Sequence, residues 1–465
     1  MATSSVTSLG VGSGLDLQSL LTNLVAAEKQ PITLLQSQQS SYKTKISAYG
    51  TISSKLSALQ SAANALKSPT SLESYKATST DATVASATTG VGSAAGTYAL
   101  HVNSLAKAHT LNSGSFTDPA AAIGTGTMRI TVGTSSFDLT LDSSNNSLNG
   151  IRDAINTSSS NTGVQATVIQ DVNGYRLALT SKNTGTTNAI SVAVSETGTA
   201  DFTSPTSDPA NRDNTGLSKL AYVTGAATNL TEAQPAANAS LTVNGIAIDS
   251  ASNTLTTAIS GVTINLTKAG DTTLTVDRDI EGITKLVTNY INAFNDFQTS
   301  TRNASSYDSA SKTGQVLNGE SATRSILSTI TRTVQQTPAT VTGTYNNLAS
   351  LGITLNKDGT LAVDSTKLQK AINTDFTSVK SVLAGYGTAT AAAAADLTST
   401  SGTLTNRVNG LNASYKLTGN RIDQMNLRLA AFEARYRAQF VALDTTVSQM
   451  NATSNYLSQQ LAKLA

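Results

Sequence analysis

The chain has 465 residues, which is enough for more than one domain and at least one large hydrophobic core. Its formal net charge is only +2 and no run of Lys or Arg occurs, so the composition argues against a protein that binds nucleic acid through its charge. Cysteine is absent, which excludes disulfides, thiolate metal sites and cysteine nucleophiles, and no apolar stretch is long enough for membrane insertion.

The first distinctive segment, residues 10–31, reads GVGSGLDLQSLLTNLVAAEKQP and joins a glycine-rich turn to an apolar helical pattern. A phosphate-binding loop needs Lys and Ser or Thr after its last glycine, whereas here Leu15 and Asp16 follow, and Asp16 would repel phosphate. A secretory signal is also disfavoured, because no basic region precedes the apolar residues and polar residues interrupt them.

The same segment predicts the start of a helix. We expect the Ser13 hydroxyl to cap it and the Asp16 carboxylate to accept a hydrogen bond from the backbone N–H of the cap residue. We expect Pro31 to end or kink the helix. The sequence before this helix offers its apolar face no segment to pack on, so we expect its partner to come from far along the chain or from another chain. The residues assigned to this N-terminal leg helix are Ser13, Gly14, Leu15, Asp16, Leu17, Leu20, Leu21 and Leu24.

Apolar residues at seven-residue spacing occur at both ends of the chain, which is typical of a coiled coil. One series continues past Pro31 and stops near Pro69, and the other begins near Leu404 and runs to the end of the sequence. The pattern leaves open whether these helices pair between subunits or as a simple intramolecular hairpin. The residues assigned to this assembly seam are Tyr42, Tyr49, Leu56, Tyr415, Ile422, Met425, Leu429, Phe432, Tyr436, Leu443, Met450, Leu457 and Leu464.

The middle of the chain is rich in Thr, Ser and Gly and predicts short strands, beginning with GTYALHVNSLAKAHTL. Two segments form a possible internal repeat. The first, GTMRITVGTSSFDLTLDSSNNSLNGIRDAIN, predicts a hairpin, a polar turn and a short helix. The second, ASLTVNGIAIDSASNTLTTAISGVTINLTKAG, predicts a hairpin, a turn and further strand.

Helical periodicity returns after Asp279, with apolar stripes over residues 280–297 and 326–334. The segment ITLNKDGTLAV predicts a hairpin, and apolar residues between Leu368 and Leu383 predict one further helix.

These patterns predict an α+β multidomain fold. Long terminal coiled-coil helices and a helical central domain carry an inserted antiparallel β head of two small modules. The expected domains are a terminal leg (1–40 and 406–465), a mainly helical domain (41–74 and 276–405), a β head domain (75–120 and 230–275) and an inserted outer β head domain (121–229).

Candidate catalytic chemistry is sparse. The two histidines, His101 and His109, lie outside any metal-ligand spacing, and no G-x-S-x-G motif or acidic cluster occurs. We therefore expect no catalytic residue, no metal site and no cofactor, and assign both histidines structural or surface roles.

Several motifs together resemble the flagellar filament cap family, also called hook-associated protein 2. The N-terminal segment GVGSGLDLQSLLTNLVAAEKQP is similar to that family's signature, as are AYGTISSKLSALQSA, YNNLASLGITLNKDGTLAVDSTKLQKAI and YRAQFVALDTTVSQMNATSNYLSQQL. The resemblance spans nearly the whole chain and is weakest over residues 120–230.

The resemblance implies a structural cap, not an enzyme, secreted through flagellar type III export to the tip of the bacterial flagellum. It implies a homo-oligomer, usually a pentamer, whose β heads form a plate and whose paired termini form legs. The expected partners are flagellin, which the cap helps to fold and insert, hook-filament junction proteins, and a cytoplasmic export chaperone on the C-terminal helix. A surface adhesin, whose β head binds host glycans or receptors, is the alternative that the sequence leaves open.

Overall fold

A computed structural model describes residues 9–196, 202 and 211–462 of the chain. It divides into two compact units: a helical unit, formed by the described residues up to 72 and from 280 onward, and a β unit, formed by residues 73–279. The helical unit is therefore built from both ends of the chain. The expected mixture of helix and antiparallel sheet, ending in a long C-terminal helix, is confirmed.

Long helices dominate the helical unit, together with two short β ribbons. Its helices are α1 (Leu17–Lys67), α2 (Pro69–Leu72), α4 (Ile280–Ser305), α5 (Ser321–Gln335), α6 (Ser365–Thr374), α7 (Phe376–Thr398) and α8 (Thr403–Ala462), and its ribbons pair β18 (Tyr307–Asp308) with β19 (Thr313–Gly314) and β20 (Ile353–Leu355) with β21 (Leu361–Val363).

The core of the helical unit forms where α1, α4, α5 and α7 bring their apolar faces together. The stripe predicted from residue 280 is buried at Ile283, Val287, Tyr290, Phe294 and Phe297. Each fully buried side chain of this size stabilises the unit by about 1.5–3 kcal/mol. The core therefore holds the middle of α1 and the start of α8 in one folded body.

The single helix expected between Leu368 and Leu383 is interrupted. Asp375 ends α6 and caps α7, because its carboxylate accepts hydrogen bonds from the Ser378 amide at 3.1 Å and from the Ser378 hydroxyl at 2.5 Å. A capping carboxylate competes with helical continuation, so the apolar spacing alone was misleading here.

Pro31 does not end the first helix, which runs unbroken through it from Leu17 to Lys67. Proline removes one amide donor, so the carbonyl of Ala27 loses its helical partner, at a cost of about 3 kcal/mol. Ala27 is exposed and water can reach that carbonyl, while Ile32 is buried immediately after the proline. Packing on both sides of Pro31 outweighs the loss.

The β unit contains an inner and an outer antiparallel module, each made of two sheets. Its elements are β1 (Tyr75–Ser79), β2 (Ala85–Thr89), β3 (Gly96–Ser104), β4 (Ala108–Asn112), β5 (Gly126–Val132), β6 (Ser135–Leu141), α3 (Leu148–Thr157), β7 (Val164–Asp171), β8 (Gly174–Thr184), β9 (Ile190–Ser195), β10 (Tyr222–Val223), β11 (Ala227–Thr228), β12 (Thr231–Gln234), β13 (Ala239–Val243), β14 (Ile246–Ser250), β15 (Thr254–Ile259), β16 (Val262–Leu266) and β17 (Gly270–Arg278). The inner module has strand orders β1-β17-β3-β13-β14 and β15-β16-β2, and the outer module has orders β11-β10-β9-β5-β6 and β12-β4-β8-β7.

Both predicted repeat segments form their hairpins, β5–β6 and β13–β14, and then diverge. After its polar turn the outer module continues as helix α3, whereas the inner module continues as strand β15. Ser147 caps α3 by accepting a hydrogen bond from the Gly150 amide at 3.2 Å, which explains why a helix starts there.

Each module has its own hydrophobic core. The outer core includes Leu111 and Leu230, and the inner core resumes at Ala239. The two chain segments that connect the modules lie side by side, because Lys107 and Ala237 exchange backbone hydrogen bonds of 2.8 and 3.3 Å. Strands β4 and β12 therefore contribute to the outer module, whereas the sequence placed residues 108–120 in the inner one.

Candidate functional site: the paired terminal helices

Helices α1 and α8 pack side by side in opposite directions within one chain. Gly12 lies beside Ser448, while further along α1 the Gln39 side chain donates a hydrogen bond to the carbonyl of Tyr415 at 3.5 Å. The distant partner expected for the N-terminal helix is thus α8 of the same chain. The apolar periodicity of both helices accounts for this pairing.

Residues 9–16, which we call the glycine loop, precede α1 in a compact turn. The Gly14 amide donates to the Gly10 carbonyl at 2.9 Å, and both glycines have positive φ, 93° at Gly10 and 78° at Gly14. A Cβ atom at Gly10 would lie 1.9 Å from the carbonyl oxygen of Leu15. Gly10 is therefore required by the turn itself.

The glycine loop cradles a carboxylate from α8. Asp444 accepts hydrogen bonds from the Gly12 amide at 3.2 Å, the Ser13 amide at 2.7 Å and the Ser13 hydroxyl at 2.5 Å. These bonds, that of the Ser13 hydroxyl above all, hold the pKa of Asp444 below its ordinary value. The loop thus binds an anion, as glycine-rich turns do, but the anion belongs to the protein.

The expected cap of α1 was wrong. Helix α1 begins at Leu17, and Asp16 caps it by accepting a hydrogen bond from the Ser19 amide at 3.1 Å. Ser13 instead uses its hydroxyl on Asp444, so it lies outside the helix. A capping box is a local pattern, and it could not reveal a partner 431 positions away.

The leg helix has one buried face, which packs on the aromatic side chains of α8. Leu17 and Leu21 are buried with Leu9, against Tyr436 and Phe440. The other assigned leucines are less covered: Leu24 is half-buried, and Leu15 and Leu20 are about half exposed.

The assigned seam residues become less buried toward the C-terminal end of α8. The assigned residues nearest the helical core are buried, and those that follow along α8 are covered on one side by α1. Tyr49, Leu56 and Ile422 are buried; Tyr42, Tyr415, Met425, Leu429, Phe432 and Tyr436 are half-buried; Leu443, Met450 and Leu457 are 42%, 64% and 54% exposed; and Leu464 lies outside the described residues.

The gradient arises because α8 extends past the start of α1. Residues 449–462, which we call the overhang, are exposed except for half-buried Gln460, and the glycine loop reaches only as far as Ser448. Leu457, Tyr456 and Leu461 of the overhang are all more than half exposed. An apolar row of this length without cover marks an interaction surface.

Sequence reasoning missed an ion-pair cluster that ties three helices together. Glu320, next to the start of α5, accepts hydrogen bonds from Lys45 of α1 at 2.8 Å and from two nitrogens of Arg407 of α8 at 2.8 and 2.9 Å. Burial acts to raise the pKa of Glu320, but the bonds and charges of Lys45 and Arg407 outweigh it, and the pKa is lowered. Beside this cluster the Tyr49 hydroxyl contacts Thr323 at 3.0 Å.

The two histidines occupy structural positions. His101 Nδ1 lies 2.6 Å from Asp271 on an exposed strand surface. His109 is buried, with Nε2 2.9 Å from Glu232 and Nδ1 accepting the Ile190 amide at 2.8 Å. Within the described ranges no group of three or more His, Cys, Asp or Glu side chains could hold a metal ion.

None of the helices in the described part of the chain combines the length and the hydropathy needed for a membrane span.

Family models match most of the sequence. The models for the N-terminus and C-terminus of flagellar hook-associated protein 2 match residues 13–109 and 236–452, and the flagellin hook IN motif matches residues 127–183 of the outer module. The first match begins inside the glycine loop, at residue 13, and the second includes most of α8.

Similar proteins cover the chain from end to end. Flagellar hook-associated protein 2 of Escherichia coli (strain K12) is 35% identical over 98% of this chain and 98% of its own. The B-type flagellar hook-associated protein 2 of Pseudomonas aeruginosa is 33% identical over the same shares of both chains.

A solved structure shares the fold. The crystal structure of the D1-D2-D3 domains of the flagellar cap protein FliD from Escherichia coli is 31% identical and covers 78% of this chain and 99% of its own, with a TM-score of 0.65. The sequence, the family models and the fold agree, and the chain belongs to the flagellar hook-associated protein 2 family.

Proposed function

We propose that this chain is a structural subunit of the cap at the distal tip of the bacterial flagellar filament, outside the cell, where it promotes folding and insertion of exported flagellin. Membership of the family and the likeness to the Escherichia coli flagellar cap protein support the cap role. The family is structural, which favours assembly over catalysis, and the relatives named above give the adhesin alternative no support.

The observation that carries the proposal is the uncovered seam on α8. Its apolar row continues in register from the buried Ile422 to the exposed Leu443, Met450 and Leu457. Continuous burial of such a row needs a helix from another chain, in the manner of a coiled coil. We therefore assign the overhang to contacts within the filament tip.

The same surface accommodates the other expected partners at different stages. An export chaperone on residues 422–464 would shield the apolar row in the cytoplasm. After export, a second copy, flagellin or a hook-filament junction protein would contact its exposed residues Leu443, Met450 and Leu457. The assembled state is a homo-oligomer, for which a pentamer remains our expectation.

We also propose a four-part domain division. The terminal legs and the mainly helical domain share α1 and α8, and the β head comprises the inner and outer modules. The inner–outer boundary belongs at Lys107 and Ala237, where the two connecting segments are hydrogen-bonded.

A double substitution on the exposed part of the apolar row, at Leu443 beside the overhang and Leu457 within it, tests the proposal. Leu443→Asp with Leu457→Asp should leave the helical unit folded, because both residues are about half exposed. It should prevent ring formation in negative-stain images. In a strain that lacks its own cap protein, the variant should leave flagellin in the medium and fail to restore swimming.

The matched control is Leu417→Asp with Leu427→Asp, which changes two exposed leucines of the same helix, 54% and 74% exposed, that lie off the heptad row. This control should form rings and restore swimming. Normal capping by the L443D/L457D variant would refute the assignment of the exposed apolar row to contacts within the filament tip.

A further inference from the structure

The packing of α1 on α8 leaves a groove halfway along the pair. It has a volume of about 400 Å³, an apolar floor of Met425, Leu429 and Phe432, and a charged rim of Glu28, Arg428 and Arg435. All three floor residues are half-buried, so α1 covers them incompletely.

The sequence of α1 explains why the groove exists. Between Val25 and Ile32, α1 carries AAEKQP, which contains no large apolar side chain. Glu28 lines the groove from this stretch, so the floor residues of α8 face alanine and polar side chains. The groove is therefore a gap between two well-packed regions of the helix pair.

A row of arginines flanks the groove. Arg421, Arg428 and Arg435 are exposed and spaced seven residues apart, so they lie along one face of α8, and each is three or four residues from a floor residue. None of them takes part in the ion pairs found among the described residues. Arg435 is held over the aromatic rings, with its guanidinium carbon 5.8 Å from the Phe432 centroid and 5.3 Å from that of Tyr436.

The acids of α8 do not neutralise this row. Glu433 pairs with Arg437 at 3.7 Å, and Asp444 is held by the glycine loop. Asp423 is two residues from Arg421 and so faces away from it. Among the described residues, Glu28 is the single carboxylate on the groove rim.

We propose that this groove binds an acidic amphipathic helix of another protein. Apolar residues of that helix would fill the gap over Met425, Leu429 and Phe432, and its flanking carboxylates would pair with Arg421, Arg428 and Arg435. Arginine forms bidentate pairs with carboxylates, so the row is suited to Asp and Glu side chains on a helix. The inference stands on the α1–α8 geometry and does not depend on filament capping.

Charge argues against a second copy as the occupant. Helix α1 carries five lysines and one glutamate, and α8 carries five arginines, one lysine and three acids. The corresponding helices of a second copy would bring further positive charge to the arginine row. An acidic helix from a different protein is complementary to it.

The test uses the full chain and a fluorescein-labelled, stapled three-heptad peptide with Leu at a and d and Glu at e and g. We expect the peptide to bind in fluorescence anisotropy and to bind more weakly as salt is raised. Arg428→Glu with Arg435→Glu should weaken binding by about tenfold or more, whereas R428K/R435K should retain most of it.

Two controls separate the groove from general charge. Arg324→Glu with Arg332→Glu makes the same charge change on exposed arginines of α5 and should leave binding unchanged. A peptide with Lys at e and g should not bind. Absence of binding by the acidic peptide, or equal loss in R324E/R332E, would overturn the proposal, as would sedimentation showing self-association that R428E/R435E abolishes.

Discussion

Asp444 connects the two ends of the chain at the scale of single residues. Its carboxylate accepts hydrogen bonds from the Gly12 and Ser13 amides and the Ser13 hydroxyl. Among the described residues, no other charged group of α8 contacts the glycine loop. Gly12 permits the approach, because a Cβ atom there would lie 3.0 Å from Cβ of Ser448. The position of the loop therefore depends on this carboxylate.

We expect Asp444→Asn to release the glycine loop while leaving the rest of α8 in place. An amide cannot accept three hydrogen bonds as a carboxylate does, so residues 10–21 should exchange amide hydrogens faster than in the wild type. Hydrogen exchange with mass spectrometry measures this. Asp423→Asn is the matched control and should change nothing in the loop; unchanged protection in D444N would show that apolar contacts alone hold it.

The same contact predicts a pH dependence. The pKa of Asp444 is lowered, so the contact stabilises the folded chain above the ordinary value of 3.8 and is lost as pH falls through the lowered pKa. The Gly12 and Ser13 amide signals in NMR should titrate with that midpoint, and D444N should abolish the transition. A midpoint at or above 3.8 would contradict the geometry.

The sequence could predict part of this site. It excluded a phosphate loop, because Leu15 stands where such a loop needs Lys and Asp16 stands where it needs Ser or Thr, and it predicted a helix immediately afterwards. It could not identify Asp444 as the partner, since a single acid on a long polar helix carries no signal of a contact with the other end of the chain. For the same reason it assigned Ser13 to a local cap.

At the scale of elements, Glu320 fixes where α1, α5 and α8 meet. Its carboxylate is largely buried and bonds to Lys45 and Arg407, which come from helices at opposite ends of the chain. Replacement of a partner in such a cluster leaves buried charge without its counter-charge. The cluster therefore couples the pairing of the terminal helices to the fold of the helical unit.

We expect Glu320→Gln to lower the free energy of unfolding of the helical unit by about 1–3 kcal/mol at neutral pH. Because the pKa of Glu320 is lowered, the wild-type advantage is present above its ordinary value of 4.5 and should disappear as pH falls through the lowered value. Urea unfolding followed by circular dichroism, once at neutral pH and once at a pH below the lowered pKa of Glu320, measures this.

The control is Glu433→Gln, which removes an exposed pair with Arg437 on one helix and should cost only about 0.3–0.5 kcal/mol. Equal effects of the two variants would mean that Glu320 does not join the helices.

Heptad spacing predicted the two longest helices, because repeated apolar positions carry information over many turns. Pro31 was misleading, since its local cost is outweighed by packing that only the tertiary structure reveals. The register of α1 against α8 also escaped prediction, because every heptad offers a similar apolar surface. Gly12 beside Ser448 and Gln39 beside Tyr415 define that register.

At the scale of the whole molecule, the β unit is an insertion that contains a second insertion. The sequence indicated two modules from their hairpins, but its boundary at residues 120 and 121 separated β4 from its sheet. Strand β4 pairs with β8 and β12, which lie far along the chain, so its assignment required long-range pairing. Local alternation cannot distinguish which of two neighbouring sheets a strand joins.

This boundary leads to a deletion experiment. Removal of residues 108–236 should leave the inner module folded, because its core lies entirely outside that segment. Lys107 and Ala237 already form an antiparallel pair, so an Asn-Gly turn can join them. The inner module loses two hydrogen bonds, one that Asn238 Oδ1 accepts from the Thr186 amide and one that the Ala251 carbonyl accepts from the Thr184 hydroxyl, each worth about 1 kcal/mol.

Calorimetry should therefore show the remaining transitions preserved, with the Tm of the inner module lower by about 4–8 °C per kcal/mol lost. Deletion of residues 121–229 is the matched comparison, because it keeps β4 and β12 but removes β8, leaving Leu111 without its core. That variant should aggregate. If it instead unfolded cooperatively while the 108–236 deletion did not, the two modules would share a core and the boundary at Lys107 and Ala237 would be wrong.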